Sequence, residues 1–324
     1  MSAPPLTRED RVAELEGHRR ELVGYCYRLL GSAFDAEDAV QETMTRAWRH
    51  LDRFEGRSSL RTWLYQIASN VCFDALAAGK RRALPVDLGP AGTVEGAHAP
   101  SPEVPWLGPL PGRAADSDDP AVLVEARESV RLAFVAALQH LPPRQRAVLV
   151  LREVLHWSAA EVAELLETSV PSVNSALQRA RATLAERDLD AREARPLGHD
   201  DADRELLERW VAAFERYDMD ALAALMRDDV VQSMPPFSLW LQGVDDLVAW
   251  FTGPGAGCRG SRYVPVEVNG SPGYAQYRHG GATPWGISTL QVRDGRVAEV
   301  TTFLETDGSL FALFGLPPQL PPPA

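Results

Sequence analysis

Several absences bound what this chain can be. Cysteine is scarce: only Cys26, Cys72 and Cys258 occur in 324 residues, and no spacing among them suits a metal ion. That excludes a disulfide scaffold and a cysteine-ligated metal centre. It leaves reduced thiols, packed as small hydrophobes, in a cytoplasmic protein. No apolar run approaches the ~18 residues that would mark a membrane-spanning helix. The opening stretch MSAPPLTREDRVAELEG turns charged and helical at once, without the apolar centre of a secretory signal. No internal repeat is evident. Positive charge is also short: 33 Lys and Arg stand against 45 Asp and Glu, a formal net charge of −12.

The deficit is local. Residues 1–82 carry 13 basic and 12 acidic side chains, and residues 121–187 carry 8 and 7. The acidity sits in residues 83–120 (1 basic, 6 acidic) and 188–324 (11 basic, 20 acidic). Local charge decides whether a surface can approach a polyanion, so the two near-neutral segments remain open to nucleic acid.

Those two segments read as helical. In residues 11–82 apolar residues recur at three and four, and Val40, Met44, Ala47, Trp48 and Leu51 share one face of a helix begun near Asp35. Asp35, Glu37, Asp38 and Glu42 suit the positive end of that helix. A loop over Glu55–Ser59 leads to a second helix bearing Trp63 and Tyr65, read as ending in Lys80, Arg81 and Arg82. Residues 83–120 are rich in Pro, Gly and Ala without period. They read as a linker that cannot bury enough apolar area to order itself, apart from the apolar PWLGPLP, which suits docking.

In residues 121–187, Pro142–Pro143 end one helix and start the next, and Ser158-Ala-Ala-Glu161 is a capping box. Ser169 caps a last helix with Pro171 in its first turn, and Val173, Leu177, Ala180 and Leu184 form its buried stripe. Ser172, Asn174, Ser175, Gln178, Arg179 and Arg181 point elsewhere. Two short helices joined this way suit a helix-turn-helix, whose second helix enters the major groove.

After a polar connector at 188–200 the pattern changes. Residues 201–227 hold one or two helices, with Leu206, Leu207, Trp210, Val211 and Phe214 in a stripe. Strand-like runs follow: DVVQSMPP, RYVPVEVNG, YAQYRHG and GISTLQVRDGRVAEVTTFLE. The RDGR at 293–296 is a strong hairpin signal. Helices followed by several antiparallel strands predict an α+β domain.

DAEDAVQETMTRAW followed by RSSLRTWLYQIASNVCFDAL and KRR resembles region 2 of extracytoplasmic-function (ECF) sigma-70-type RNA polymerase sigma factors. The resemblance implies that Asp38, Gln41, Glu42 and Trp48 face core RNA polymerase, with Trp48 equally suited to packing. It implies that Arg57, Ser58, Arg61, Trp63, Asn70, Asp74, Lys80, Arg81 and Arg82 serve a −10 promoter element. Residues 125–186 resemble sigma region 4, which assigns Ser172, Asn174, Ser175, Gln178, Arg179 and Arg181 to a −35 element. Asn174 and Ala176 stand where many such factors carry cations, so phosphate attraction is reduced; Asn and Gln still suit adenine edges and Arg guanine.

The stretch from Leu206 resembles the opening of SnoaL-like domains, a curved sheet wrapped by helices around a pocket. Met234, Phe237, Trp240, Trp250, Tyr277 and Trp285 are its candidate lining for a small molecule; the same set would serve a plain core. His279, Asp294 and Asp229 are acid/base candidates, but no convincing His–Asp dyad is visible and catalysis is not expected.

The chain therefore reads as multidomain: sigma region 2 (11–82), linker (83–120), region 4 helix-turn-helix (121–187), connector (188–200) and SnoaL-like α+β cone (201–318). The first two domains are all-α. Core RNA polymerase and promoter DNA are the expected partners, a small molecule is the candidate ligand of the cone, and neither a cofactor nor a membrane is implied. The alternative is a stand-alone helix-turn-helix regulator with a ligand-sensing C-terminal domain.

Overall fold

A computed structural model describes residues 8–54, 56, 58–79, 81–96, 100–101, 103–112, 129–186 and 194–322. The chain divides into two compact units, one of residues 1–82 and 133–189, the other of 83–132 and 190–324.

The first unit is helical. Helix α1 spans Arg8–Gly17, α2 Arg19–Leu30, α3 Ala33–His50 and α4 Leu60–Ala78. Gly31, in the left-handed region at φ 71°, ends α2 by donating its N–H to Tyr27 O. One residue later Ser32 caps α3 by accepting from the Asp35 N–H at 3.2 Å. Ser59 caps α4 in the same way, from Thr62 N–H at 3.0 Å. Leu22, Tyr25, Cys26, Leu29, Val40, Leu64, Ala68 and Cys72 meet in a core with essentially no exposure. Tyr25 and Ser69 share a buried hydrogen bond of 2.7 Å there. Helix α4 stops at Ala78, with Gly79 extended, so Arg81 and Arg82 follow the helix rather than forming its last turn. Arg82 instead pairs with Asp35.

In the second helical block α5 spans Leu132–Leu138 and α6 Pro143–Leu149, which a wide turn at Val150–Val154 continues; α7 spans Ala159–Leu165 and α8 Val170–Ala185. The capping box is present in both directions: Glu161 N–H to Ser158 Oγ at 3.2 Å and Ser158 N–H to Glu161 Oε2 at 2.7 Å. Val173, Leu177 and Ala180 bury on α8. Leu184 is only half-buried. Ala176 is buried too, so a cation at that position would face packing rather than solvent.

The second unit is built on a sheet ordered β3-β2-β7-β6-β5-β4: β2 is Met226–Ser233, β3 Trp240–Gln242, β4 Arg262–Val268, β5 Ser271–Arg278, β6 Thr283–Arg293 and β7 Arg296–Leu304. A two-residue β1, Arg195–Pro196 from the connector, adds to β6. The β6–β7 turn places Asp294 at φ 53° and Gly295 at φ 70°, the geometry that matches the twist of a two-residue hairpin. The expected all-antiparallel order holds except at one join: β2 runs parallel to β7. A long excursion through β3, a helix and the β4–β6 meander separates these two strands in sequence, and no tight turn constrains their direction. Register shifts at Gln276/Tyr277 and Gln291/Val292 curve the sheet.

Helices α9 (Asp201–Arg216), α10 (Met219–Leu225) and α11 (Val244–Thr252) cover one face of the sheet. Trp210, Phe214, Leu222, Phe251, Tyr274, Leu290 and Val300 belong to one continuous core. The Trp210 indole N–H donates to the Tyr274 hydroxyl at 3.0 Å. A short α12, Ser309–Leu313, follows the sheet.

The stretch read as a linker carries contacts of its own with this unit. Gly92 N–H donates to Trp240 O and Ser101 N–H to Pro236 O, each at 2.9 Å. Leu110 exchanges bonds with Asn269, at 3.0 Å to its side chain and 2.8 Å from its backbone N–H. Leu107, within PWLGPLP, is fully buried. The segment lacks a period because its partners are sequence-distant: it borrows a surface instead of making one.

Candidate functional site

The structure presents four groups of residues that chemistry could use. The first is a stripe along α3. Phe34, Asp38, Gln41, Thr45 and Trp48 fall on one line of the helix, at spacings of four, three, four and three. Asp38 and Gln41 are exposed, and Phe34 and Trp48 are 42% and 53% exposed. Their exposure keeps Phe34 and Trp48 out of the core that Val40, Met44, Ala47 and Leu51 enter. Glu42 lies beside the stripe, held by Arg46 at 2.6 Å. The sequence reading missed Phe34, although its spacing from Asp38 and Gln41 is the available signal.

The second group is α4 and its approach. Arg57 and Lys80 lie outside the described residues. Ser58 is half-buried, Asn70 and Asp74 are exposed, and Trp63 packs on Phe54 with ring centroids 5.1 Å apart. Arg61 is engaged. Its Nε donates to the Glu21 carboxylate at 2.9 and 3.2 Å. Its guanidinium lies 5.2 Å from the Tyr65 ring centroid and 5.1 Å from that of Trp157. Burial alone would raise the Glu21 pKa, but hydrogen bonds from Arg61 and His18 outweigh it and hold the carboxyl below its ordinary range. Burial, with Glu21 nearby, pushes the Tyr65 hydroxyl well up.

Trp157 belongs to the second helical block, so these contacts form a seam between the blocks. Tyr65 and Trp157 rings lie 5.0 Å apart. Gln66 Nε2 donates to Glu167 at 2.9 Å, and Arg81 meets His140 at 2.5 Å. Deeper in the seam Arg146, 3% exposed, donates to Leu29 O at the end of α2, to Gln139 at 2.8 and 3.1 Å and to Leu141 O at 3.2 Å. Its burial pushes the guanidinium down to about 10, still protonated at neutral pH. The cation satisfies carbonyls from both blocks at once.

The third group is the outer face of α8. Ser172, Asn174, Ser175, Gln178, Arg179 and Arg181 are all exposed there. Arg179 donates to Ser175 at 2.6 Å and Arg181 pairs with Glu153 at 2.7 Å. Val170, at the helix start, is also exposed, at 39%. These residues form one exposed polar surface on the helix.

The fourth is a cavity of about 280 Å³ between the sheet and α11. Of the six candidate lining residues it collects Met234, Phe237, Trp250 and Trp285. Trp240 instead donates its indole N–H to Gly89 O at 3.0 Å. Tyr277 is fully buried against Phe311, with its hydroxyl donating to Pro317 O at 2.8 Å. Strand alternation separates these two from the cavity: neighbours along a strand face opposite sides. Sequence reading missed Phe214, Gln232, Phe251, Cys258, Gln276 and Arg278, which complete much of the lining. Tyr274 also lines it, and burial pushes its hydroxyl up to about 12. The acid/base candidates lie elsewhere: Asp229 is held by Arg227 at 2.9 Å and by Arg293, Asp294 by Arg227 at 2.6 Å, and His279 bonds Thr283 at 3.2 Å. Among the described residues no helix is long and apolar enough to cross a membrane, and no cluster suits a metal ion.

Comparison with known proteins follows the same divisions. Residues 15–82 match the family described as Sigma-70 region 2, residues 131–184 Sigma-70 region 4, and residues 207–300 the SnoaL-like domain. The ECF RNA polymerase sigma factor SigG of Mycobacterium tuberculosis is 45% identical over 318 residues, 97% of this chain and 85% of that protein. SigJ of the same organism is 30% identical across 91% of this chain and 92% of its own length. The crystal structure of M. tuberculosis SigJ superposes with a TM-score of 0.60 at 25% identity, covering 94% of this chain and 100% of that one. Bacillus subtilis SigW is 31% identical over 167 residues, 52% of this chain. With region 2, region 4 and the SnoaL-like domain in that order, and with a relative 45% identical across nearly its whole length, the chain belongs to the ECF RNA polymerase sigma factors.

Proposed function

We propose that this sigma factor binds core RNA polymerase through the α3 stripe, reads a −10 element with α4 and its flanks, and reads a −35 element with the outer face of α8. We propose further that the first unit is the closed, polymerase-free state. The observation that carries this is the Arg61–Glu21–Trp157 and Gln66–Glu167 seam, which ties the −10 helix to the second helical block. By their own numbering the two promoter elements lie about 25 base pairs apart, or about 85 Å of B-form DNA. Helix α8, at ~1.5 Å per residue, is about 24 Å long. Two readers packed against each other within one unit cannot serve sites so far apart, so engagement requires the seam to part. The aromatic stripe of α3 faces outward and stays available to polymerase while the seam is shut.

The SnoaL-like unit regulates rather than catalyses in this reading. Its acid/base candidates are tied up away from the cavity, and its hold on residues 83–112 gives it a grip on the segment that joins the two helical blocks. The cavity makes it a small-molecule binder. The factor acts in the cytoplasm, with polymerase.

A reversible cross-link tests the closed state. Gln66→Cys and Glu167→Cys, joined by a cleavable bismaleimide, should abolish promoter-specific transcription with core polymerase, and cleavage of the linker should restore it. Full transcription by the cross-linked protein would sink the proposal. A promoter library transcribed by the uncross-linked protein should yield paired −10 and −35 elements; Asn174→Ala and Gln178→Ala should relax only the latter.

A further inference from the structure

One cation faces the cavity of the C-terminal unit. Among the described lining residues Arg278 is the single charged side chain, and no carboxylate joins it. Its guanidinium lies over the Trp285 ring, 3.1 Å from the centroid, and one Nη donates to Cys258 Sγ at 3.1 Å. Its Nε is buried without a hydrogen-bond partner. No Asp or Glu among the described residues forms an ion pair with it. The side chain as a whole is half-buried, so the guanidinium faces the cavity as a cation without a counter-charge, and its buried Nε is a donor left without an acceptor.

The remaining wall is mostly apolar. Met234, Phe237, Trp250 and Trp285 present rings and a thioether. Two amides also line it, each with one internal bond: Gln232 donates to Thr302 at 3.3 Å and Gln276 to Ser261 at 3.0 Å. The cavity therefore offers an apolar slot with one unmatched positive fork. At about 280 Å³ it sits at the small end of ligand pockets, which run from about 300 to 1,000 Å³.

We propose that the cavity binds a small aromatic or alicyclic monocarboxylate of one or two rings, its carboxylate on Arg278 and its ring among Met234, Phe237, Trp250 and Trp285. The assignment rests on the reading of this unit as a small-molecule binder and names the ligand's charge and shape. The guanidinium fork matches a carboxylate in two parallel hydrogen bonds, and stacking on Trp285 holds its plane fixed beforehand.

The test is calorimetric titration of the full-length chain with three probes of one shape: 2-naphthoate, 2-naphthamide and 2-naphthylmethylamine. The expected result is one site, with 2-naphthoate at least tenfold tighter than the amide and the amine weakest. Arg278→Gln should bring 2-naphthoate to the level of the amide, and Arg278→Lys should keep a smaller preference for the anion. Met234→Trp, which narrows the slot while keeping Arg278 in the sequence, should remove binding of all three. Equal affinity of the three probes for the native chain would overturn the anion assignment and leave the small-molecule reading standing. A preference for 2-naphthoate that survives Arg278→Gln would overturn it too, by placing the carboxylate elsewhere. Binding that survives Met234→Trp would move the site out of this cavity. No binding of any probe to the native chain would overturn both readings. If Arg278→Gln fails to fold, as judged by circular dichroism, the native-chain ranking and Arg278→Lys still decide.

Discussion

The two compact units of this sigma factor are held together by different means. The SnoaL-like unit has a continuous apolar core in which Trp210, Phe214, Phe251 and Tyr274 interlock across α9, α11 and the sheet. In the sigma unit the contact between the two helical blocks mixes buried aromatic rings with polar and ionic partners. Arg146 reaches carbonyls of both blocks, Arg61 sits between Glu21 and Trp157, and Gln66 meets Glu167. A dry core resists partial opening, because every separated pair exposes apolar area. At the exposed end of the seam, as at Gln66–Glu167, hydrogen bonds exchange their partners for water at little net cost, while buried Arg146 makes its opening more expensive. The first design keeps a cavity in shape; the second is the kind of contact that the proposed opening requires.

Three substitutions would break or sharpen that contrast. Trp210→Ala removes a fully buried indole from the cone and should cost about 3–5 kcal/mol. Denaturant melts followed by circular dichroism should show the loss confined to one transition, with the helical sigma unit unchanged. A uniform loss across both transitions would mean that the two units do not differ in the way described.

Arg146→Met keeps the length of the side chain but strips the donors from Leu29, Gln139 and Leu141. Orphaned buried carbonyls should weaken the seam by about 2–3 kcal/mol. Faster limited proteolysis between the helical blocks would report it, together with increased promoter affinity of the free protein. Unchanged protection would show that Arg146 serves only its own block.

Glu21→Gln is the mildest change. The Glu21–Arg61 pair is partly exposed, 31% and 40% at the two side chains, so its loss should cost about 0.5–1 kcal/mol. Its pH dependence has a definite sign. The folded carboxyl titrates below the ordinary glutamate value of about 4.3. Its contribution is therefore complete above that value and disappears as pH falls through the lower, folded one. Native protein should lose seam protection in that acid window, and Glu21→Gln should flatten the loss; hydrogen exchange at Tyr65 and Trp157 would measure both.

How much was legible beforehand depended on distance along the chain. The caps at Ser158 and Ser169, the buried stripe Val173–Leu177–Ala180 and the Asp294–Gly295 hairpin follow from residues within a few positions of each other. So does the exposed face of α8. Helix α4 ended earlier than its basic tail suggested because Gly79 breaks it. The parallel join of β2 to β7 and the choice of four cavity residues out of six depended on strands far apart in sequence. Arg278 gave no sign in the sequence, since a lone arginine beside a histidine at a strand end looks like a solvated turn.

The sequence by itself determined the modules, their order and their local ends, because caps, breakers and hydrophobic periods act over one or two turns of chain. It also determined that the acidity would lie outside the two helical blocks, in residues 83–120 and 188–324. Only the tertiary structure decided what those modules hold. It set Gln66 against Glu167 across 101 residues of chain and Leu110 against Asn269 across 159. It also aimed Arg278 into an apolar slot without a counter-charge. Such contacts depend on how separate elements pack, and local preference carries no record of which distant surface a side chain will meet.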